Sequence, residues 1–232
     1  MNAVITGASR GIGKAIAKIF ALNVYDLVLV SKNETHLLNT VQEFEKDFPD
    51  ITIKAQAFDL SKKEAVLLCG EWINNNTDTV DVLVNNAGTF LPGNVIDETD
   101  GTLEAMMQTN VYSAYYLTKT LVPKMIAQRN GHIFNLCSIA GLQAYPNGGS
   151  YSISKFALMG YTKNLRHELR EHGVKVTAVI PGAVYTDSWA GFIAPERIME
   201  AEDVAKMVYA ASRLSPQAVV EDIVLRPQLG DL

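Results

Sequence analysis

Along the chain, short runs of consecutive apolar residues alternate with longer stretches whose apolar positions recur every three or four residues. A short apolar run bounded by turn formers marks a strand buried on both faces, whereas the longer spacing marks an amphipathic helix. On this reading strands are predicted at 3–6, 26–31, 52–58, 80–85, 131–137, 175–180 and 219–225, and helices at 12–22, 33–47, 61–76, 101–128, 150–171 and 202–213. Gly173 reads as a helix stop and Asn130-Gly131 as a turn. Strands separated by helices build βαβ units and a parallel sheet with helices on its faces. No linker, repeat or low-complexity segment interrupts the pattern. Residues 1–232 are therefore expected to form one α/β domain, a Rossmann-type fold with a doubly wound, seven-stranded parallel sheet.

Composition narrows the partners. Apolar residues make up 48% of the chain and charged residues only 19%, as suits strands covered on both sides. A net charge of −5 gives no long-range attraction to nucleic acid or to an anionic membrane. No secretory pattern precedes the first strand, and no apolar run reaches ~18 residues. Cys69 and Cys137 are too few for a disulfide framework and lie in apolar stretches, as buried thiols do. The expectation is a cytoplasmic protein that needs no metal, nucleic acid or membrane.

Chemistry first shows itself directly after the first strand, in Thr6-Gly7-Ala8-Ser9-Arg10-Gly11-Ile12-Gly13. A strand feeding glycines into a helix N-terminus makes an anion site, because unpaired N–H groups and the helix dipole face the loop. Gly7 suits the tight turn, Gly11 the approach of a pyrophosphate, and Gly13 close packing of helix on strand. The spacing G-x-x-x-G-x-G is neither G-x-G-x-x-G nor a P-loop, and a lone glycine cluster is often only a turn. Its position at the head of a βαβ series is what makes it a nucleotide site, with Ser9, Arg10 and Ile12 among its contacts. At the tip of the second predicted strand an acidic residue would favour a ribose 2′-hydroxyl and a cation a 2′-phosphate. The tip reads Ser31-Lys32-Asn33, with Glu34 in the first turn of the next helix, capped by Asn33. Lys32 and Arg10 thus favour NADP(H) over NAD(H).

A second constellation is Ser138, followed thirteen residues later by Tyr151 and then by Lys155. On a helix, Tyr151 and Lys155 at i and i+4 share a face. A nearby ammonium favours tyrosinate, and a serine hydroxyl from elsewhere can hold a substrate oxygen beside the phenol. The spacing alone is weak, since Tyr115 and Lys119 repeat it and Tyr209 and Arg213 nearly do.

In order along the chain, these elements join Asp59-Leu60, Asn85-Asn86-Ala87-Gly88, Asn110 and Pro181-Gly182-Ala183-Val184-Tyr185-Thr186. From the first strand to about Thr186 the chain resembles the short-chain dehydrogenase/reductase family. The resemblance implies that Asp59 bonds the adenine amino group, with Leu60 beside it, and that Asn85, Asn86, Ala87 and Gly88 line the adenosine side. It implies that Pro181, Gly182, Val184 and Thr186 hold the nicotinamide end. Asn110, Ser138, Tyr151 and Lys155 would be catalytic: Tyr151 as proton donor, Ser138 holding the substrate oxygen, and Lys155 lowering the Tyr151 pKa and binding the nicotinamide ribose. Asn110 would hold a water that links Lys155 to solvent. A homodimer or homotetramer paired through helices 101–128 and 151–172 is also implied.

The substrate is less legible. Residues 187–199 are expected to shape the pocket, with Trp189, Phe192, Tyr145 and Phe90 as candidate apolar walls. The ending from Val219 to Gln228 looks like that of sepiapterin-reductase-type and related carbonyl reductases. A small-molecule carbonyl is the first reading, and 3-oxoacyl-[acyl-carrier-protein] reductase the alternative. Docking an acidic acyl carrier protein needs a basic rim. Arg129 matches one such position, His172 stands where a second is expected, and Arg166 and Arg170 are possible substitutes. A non-catalytic NADP sensor that keeps the fold is the third reading, and the complete constellation argues against it.

Overall fold

The computed structural model describes residues 1–186, 189 and 191–231. Seven strands form one sheet: β1 (Asn2–Thr6), β2 (Asp26–Ser31), β3 (Ile53–Ala57), β4 (Val82–Asn85), β5 (Gly131–Leu136), β6 (Val174–Pro181) and β7 (Asp222–Leu225). Their spatial order is β3-β2-β1-β4-β5-β6-β7, with every pair parallel. The helices are α1 (Gly11–Leu22), α2 (Glu34–Asp47), α3 (Lys63–Asn76), α4 (Thr102–Met107), α5 (Ser113–Gln128), α6 (Gly149–Leu169) and α7 (Ala201–Ser212). Among the described residues, no helix is long and apolar enough to cross a membrane.

Alternation along each strand divides the core between the two faces of the sheet. Ala3, Ile5, Leu27, Leu29, Val82 and Val84 pack with Ile16 and Phe20 of α1 and Val204 and Val208 of α7. Val4, Val28, Leu83, Ile133 and Val176 face the other way, toward Val66 and Ile73 of α3, Leu117 and Leu121 of α5, and Leu165 of α6. Both residue sets are apolar, which is why the central strands read as continuous hydrophobic runs. From β3 the chain crosses back to place β4 on the other side of β1. The strand order therefore reverses between β1 and β4, where ligands bind in open α/β sheets.

Predicted elements differ from the structure at several points, among them the last strand, predicted at 219–225, which begins only at Asp222. The predicted strand 80–85 begins at Val82, and the Val80 N–H donates to Gln128 Oε1 (3.0 Å) rather than to a neighbouring strand. The predicted helix 101–128 is broken into α4, a π-helical turn at Gln108–Tyr112 and α5. Asn110 sits in that turn, fully buried, and the extra residue of a π turn changes the helix phase where its amide needs partners.

Leu117 is completely buried between α5 and the sheet. Leu117→Ala should destabilise the protein by about 2–5 kcal/mol, seen as a lower urea midpoint. A loss below ~1 kcal/mol would show that α5 does not rest on the sheet as described.

Candidate active site

The C-terminal ends of β1, β4, β5 and β6 lie side by side, and the loops leaving them carry most of the expected site residues. Gly7 (φ +65°) in the loop after β1 and Gly11 (φ +53°) at the first position of α1 take left-handed conformations. A Cβ on Gly13 would lie 2.2 Å from the Gly7 carbonyl oxygen, and one on Gly7 would lie 2.7 Å from Asn86 Nδ2. The loop is braced from below. Asn86 Nδ2 donates to the carbonyls of Thr6 (2.9 Å) and Gly7 (3.2 Å), while Thr6 Oγ1 accepts from the Asn86 and Ala87 N–H groups (3.0 Å each). Asn85 is buried, its amide donating to Thr118 Oγ1 (3.0 Å) and Asn135 Oδ1 (2.8 Å). The expected adenosine-facing run Asn85–Gly88 is thereby narrowed: the two asparagine side chains hold the fold together, and Ala87 and Gly88 remain at the open edge. Ile12 and Leu60 likewise send their side chains into the core, which leaves their backbones for any ligand contact.

At the tip of β2, Ser9 Oγ and Ser31 Oγ share a hydrogen bond (2.8 Å), with Arg10 exposed at the N-terminus of α1. Lys32 is exposed and pairs with Asp59 (3.1 Å). Burial would raise the Asp59 carboxyl, but hydrogen bonds from Ser61 and Lys32 outweigh it and hold the group below its ordinary value. The two residues expected at the adenosine end thus meet, although the sequence offered no sign that they pair with each other. Glu34 lies in the first turn of α2, whose N-cap Asn33 accepts from the His36 N–H (2.8 Å), as expected. At the other end of the loop, a Cβ on Gly11 would lie 3.1 Å from the Thr186 methyl. Gly182 N–H bonds the Leu225 carbonyl (2.8 Å) where Pro181 ends β6, and buried Val184 bridges to Met199. A crevice of about 920 Å³ opens beside Thr186, between α1 and the segment leading into α7, lined by Gly11, Lys14, Tyr185, Thr186 and Met199 among others.

Ser138 leaves β5 in extended backbone and caps the short helical turn Ile139–Gly141, its Oγ accepting from Ala140 N (3.1 Å). Ser152 of α6 donates to the Ala140 carbonyl (2.6 Å) and so fixes that turn against the helix. Tyr151 stands in the first turn of α6, and the Phe90 ring meets it edge-on with centroids 4.8 Å apart. One helical turn on, Lys155 is only 6% exposed, and its Nζ donates to the Leu136 carbonyl (2.7 Å). Burial lowers its pKa to about 8. The decoy pair differs on this point: Tyr115 and Lys119 both lie on the exposed face of α5. Arg213, in the other near-repeat, donates to Tyr25 Oη (3.1 Å).

The expected lowering of the Tyr151 pKa is not supplied by the chain alone. Burial pushes the phenol above its ordinary value, and the Ser138 hydroxyl offsets this only in part. Lys155 Nζ is 5.6 Å from the Tyr151 ring centroid, and the lysine is itself desolvated.

Asn110 Nδ2 donates to the Thr89 carbonyl (3.0 Å) and Ser154 Oγ (2.9 Å), and Oδ1 accepts from the Thr89 N–H (2.8 Å). A Cβ on Gly88 would approach Asn110 Oδ1 at 3.2 Å and Lys155 Nζ at 3.9 Å, so the glycine keeps the space between them open. Thr89 and Ser154 were not legible as site residues.

Of the candidate walls, Phe90 is in contact with Tyr151, and Tyr145 stands close by, its phenol pushed up to about 12 by burial and then by the neighbouring Tyr151. Phe192 is 83% exposed. Within the expected substrate segment 187–199, Asp187, Ser188 and Ala190 lie outside the described residues. Arg166 does not supply a docking surface, because its guanidinium is tied to the Val176 and Glu221 carbonyls, Glu221 and Asp222.

A family model for short chain dehydrogenases matches residues 1–196. A sepiapterin reductase of Chlorobaculum tepidum is 33% identical over 246 aligned positions, covering 99% of this chain and 97% of its own length. An uncharacterized oxidoreductase of Staphylococcus aureus is 31% identical, covering 97% and 96%. The crystal structure of a metagenomic short-chain oxidoreductase in complex with NADP superposes with a TM-score of 0.86 at 30% identity, covering 98% of this chain and 97% of that one.

The depressed Lys155 pKa has a sign that can be tested. Between about 8 and its unfolded value near ~10.4, the unfolded chain holds the Lys155 proton and the folded chain does not. The unfolded state then binds more protons, so this group's contribution to stability rises with pH through that window. Unfolding midpoints from pH 7.5 to 10 should show the wild type gaining on Lys155→Met. Parallel curves would mean that the lysine is not desolvated.

Proposed function

Because the chain belongs to the short chain dehydrogenase family, we propose that it is an NADP(H)-dependent reductase of small carbonyl compounds, working reversibly on the matching secondary alcohols. The observation that carries this reading is the buried Lys155 one turn from Tyr151, with Ser138 brought to the same phenol from the end of β5. A cofactor would fit over the strand ends: glycine at position 88 leaves open the space beside Asn110 Oδ1 and Lys155 Nζ, while Gly7 and Gly13 let the loop backbone below it pack directly on Asn86 and on itself. In this reading Ser9, Arg10 and Lys32 meet the adenosine phosphate end, Asp59 the adenine, and Pro181, Gly182, Val184 and Thr186 the nicotinamide end. NADP bound to the metagenomic relative supports the choice of cofactor. The sepiapterin reductase supports a carbonyl of small-molecule kind.

The bound nicotinamide supplies the hydride in the reducing direction. Tyr151 donates its phenolic proton to the carbonyl oxygen as that oxygen gains charge, and Ser138 donates a hydrogen bond to hold it. Lys155 uses one of its N–H donors on Leu136 and keeps two for the cofactor ribose and the phenol side. Its charge favours tyrosinate, as does that of the oxidised nicotinamide ring, which answers the upward pull of burial on Tyr151. Asn110 holds the segment that follows Gly88 in place beside this path. The exposed apolar side chains Tyr112 and Tyr115 of the α5 region and Ile153 and Phe156 of α6 support pairing of two copies through these helices.

The test follows NADPH and NADH oxidation against acetoacetyl thioesters, diketones, pterins and simple aldehydes. Turnover of a small ketone or aldehyde with NADPH is expected; tight NADPH binding without turnover of any carbonyl would refute the enzyme. Tyr151→Phe should bind NADPH normally and lose at least about 10²-fold in kcat, the lower end of what a placed proton donor contributes. Near-normal turnover by that variant would sink the assignment. Lys32→Asp should shift the NADPH-over-NADH preference toward NADH by about tenfold or more, or roughly 1.4 kcal/mol. An unchanged ratio would remove Lys32 from the cofactor site.

A further inference from the structure

The segment between β4 and α4 has no regular secondary structure, yet it carries Phe90, the ring against Tyr151. Two clamps hold it. Near its start, Asn110 takes both the N–H and the carbonyl of Thr89. Near its end, the Glu98 carboxylate reaches the first turn of α6, fifty-two residues away in the chain. There Oε1 accepts from the Ser150 N–H (2.9 Å), and Oε2 accepts from the Ser150 hydroxyl. Ser150 immediately precedes Tyr151.

Both backbones are shaped for this contact. Gly149 has φ +37°, and a Cβ there would lie 2.1 Å from Glu98 Oε1 and 2.5 Å from the Gly93 carbonyl. A Cβ on Gly93 would in turn lie 2.9 Å from Glu98 Cγ. The Gly93 N–H also bonds the Asn147 carbonyl (3.1 Å), and Asn147 itself adopts a left-handed φ of +59°. Two glycines therefore lie directly against one carboxylate at the start of a 21-residue helix, and Asn147 ties the first of them to the residues leading into that helix. A carboxylate at that position also suits the helix dipole. A cap alone does not call for the second strand of contacts, which tie the loop to the helix from both sides.

We propose that Glu98 is a positioning residue for the carbonyl reaction: it locks the Phe90 segment onto the first turn of α6, so that the substrate wall and the Tyr151 phenol are held as one unit. This inference rests on the carbonyl-reductase reading. It differs from the roles of Ser138, Tyr151 and Lys155 in that Glu98 touches neither substrate nor cofactor. It acts through Ser150 on the phenol and through the loop on Phe90.

The test uses the purified full chain with Glu98→Ala, Glu98→Gln and Ser150→Ala, each normalised to its NADPH-binding fraction. Glu98→Ala should lower kcat/KM for the carbonyl about 10- to 100-fold, as a misplaced donor does, with carbonyl KM raised and NADPH Kd within about twofold of wild type. Glu98→Gln keeps an oxygen for the Ser150 N–H and should recover most of the loss. A kcat/KM within about threefold of wild type, or an equal loss of NADPH binding, would overturn the proposal, because a merely structural cap gives one of those results. Should Glu98→Ala not fold, Ser150→Ala decides: it removes only the hydroxyl contact and should raise carbonyl KM, whereas an unchanged KM overturns the lock. A wild type that reduces no carbonyl would fail the functional reading instead. The lock is then read by amide hydrogen exchange over residues 89–101, faster in Glu98→Ala if the clamp is real and unchanged if it is not.

Discussion

One hydrogen bond organises the site: Lys155 Nζ donating to the carbonyl of Leu136, the last residue of β5. An ammonium almost fully removed from water is costly unless its donors are met, and the lysine's lowered pKa records that cost. The bond ties the second turn of α6 to the end of the strand that also delivers Ser138. Tyr151, one turn back on the same helix, is thereby set against Ser138 from an independent element. The glycine at position 88 and the π turn at Asn110 belong to the same arrangement, since the first leaves the ammonium room and the second supplies the amide that bounds it.

The remaining machinery follows from where the strand order reverses. β1 and β4 are neighbours that arrive from opposite directions of winding, so the loops leaving them diverge and open a crevice at their C-terminal ends. Asn86 closes the bottom of that crevice by bonding the glycine loop, and Thr6 does so from the other side. Backbone that approaches this closely leaves no space for side chains, which explains glycine at positions 7 and 13 in physical terms. The site is a set of strand ends, with one helix laid across them.

Much of this was legible along the chain because the signal was local. The central strands are apolar on both faces, the glycine loop follows a strand, and Tyr151 and Lys155 need only helical spacing to meet. What escaped was set by contacts between distant residues. Periodicity across 101–128 is continuous, so nothing local announces the π turn; its cause is a buried amide partnered by Thr89 and Ser154. The inward turn of Asn85 and Asn86 depends on Thr118, Asn135 and Thr6, and Glu98 sits in an irregular loop far from Ser150 in sequence. Arg166 looked like surface charge until β7 placed Glu221 and Asp222 beside it. The upward pull of burial on the Tyr151 phenol also escaped, because the spacing shows the neighbouring lysine and not the packing around the ring.

The chemistry therefore depends on a phenol that burial holds protonated and that lysine and cofactor together bring into the working range. The direct measurement is the titration of Tyr151 by carbon-13 NMR of tyrosine-labelled protein, assigned with Tyr151→Phe, without ligand and then with saturating NADP⁺. Without ligand the phenol should titrate above an ordinary tyrosine, and with NADP⁺ it should fall below one; in Lys155→Met it should stay higher than in the wild type when NADP⁺ is bound. A Tyr151 pKa that NADP⁺ leaves unmoved would contradict the assignment of this site.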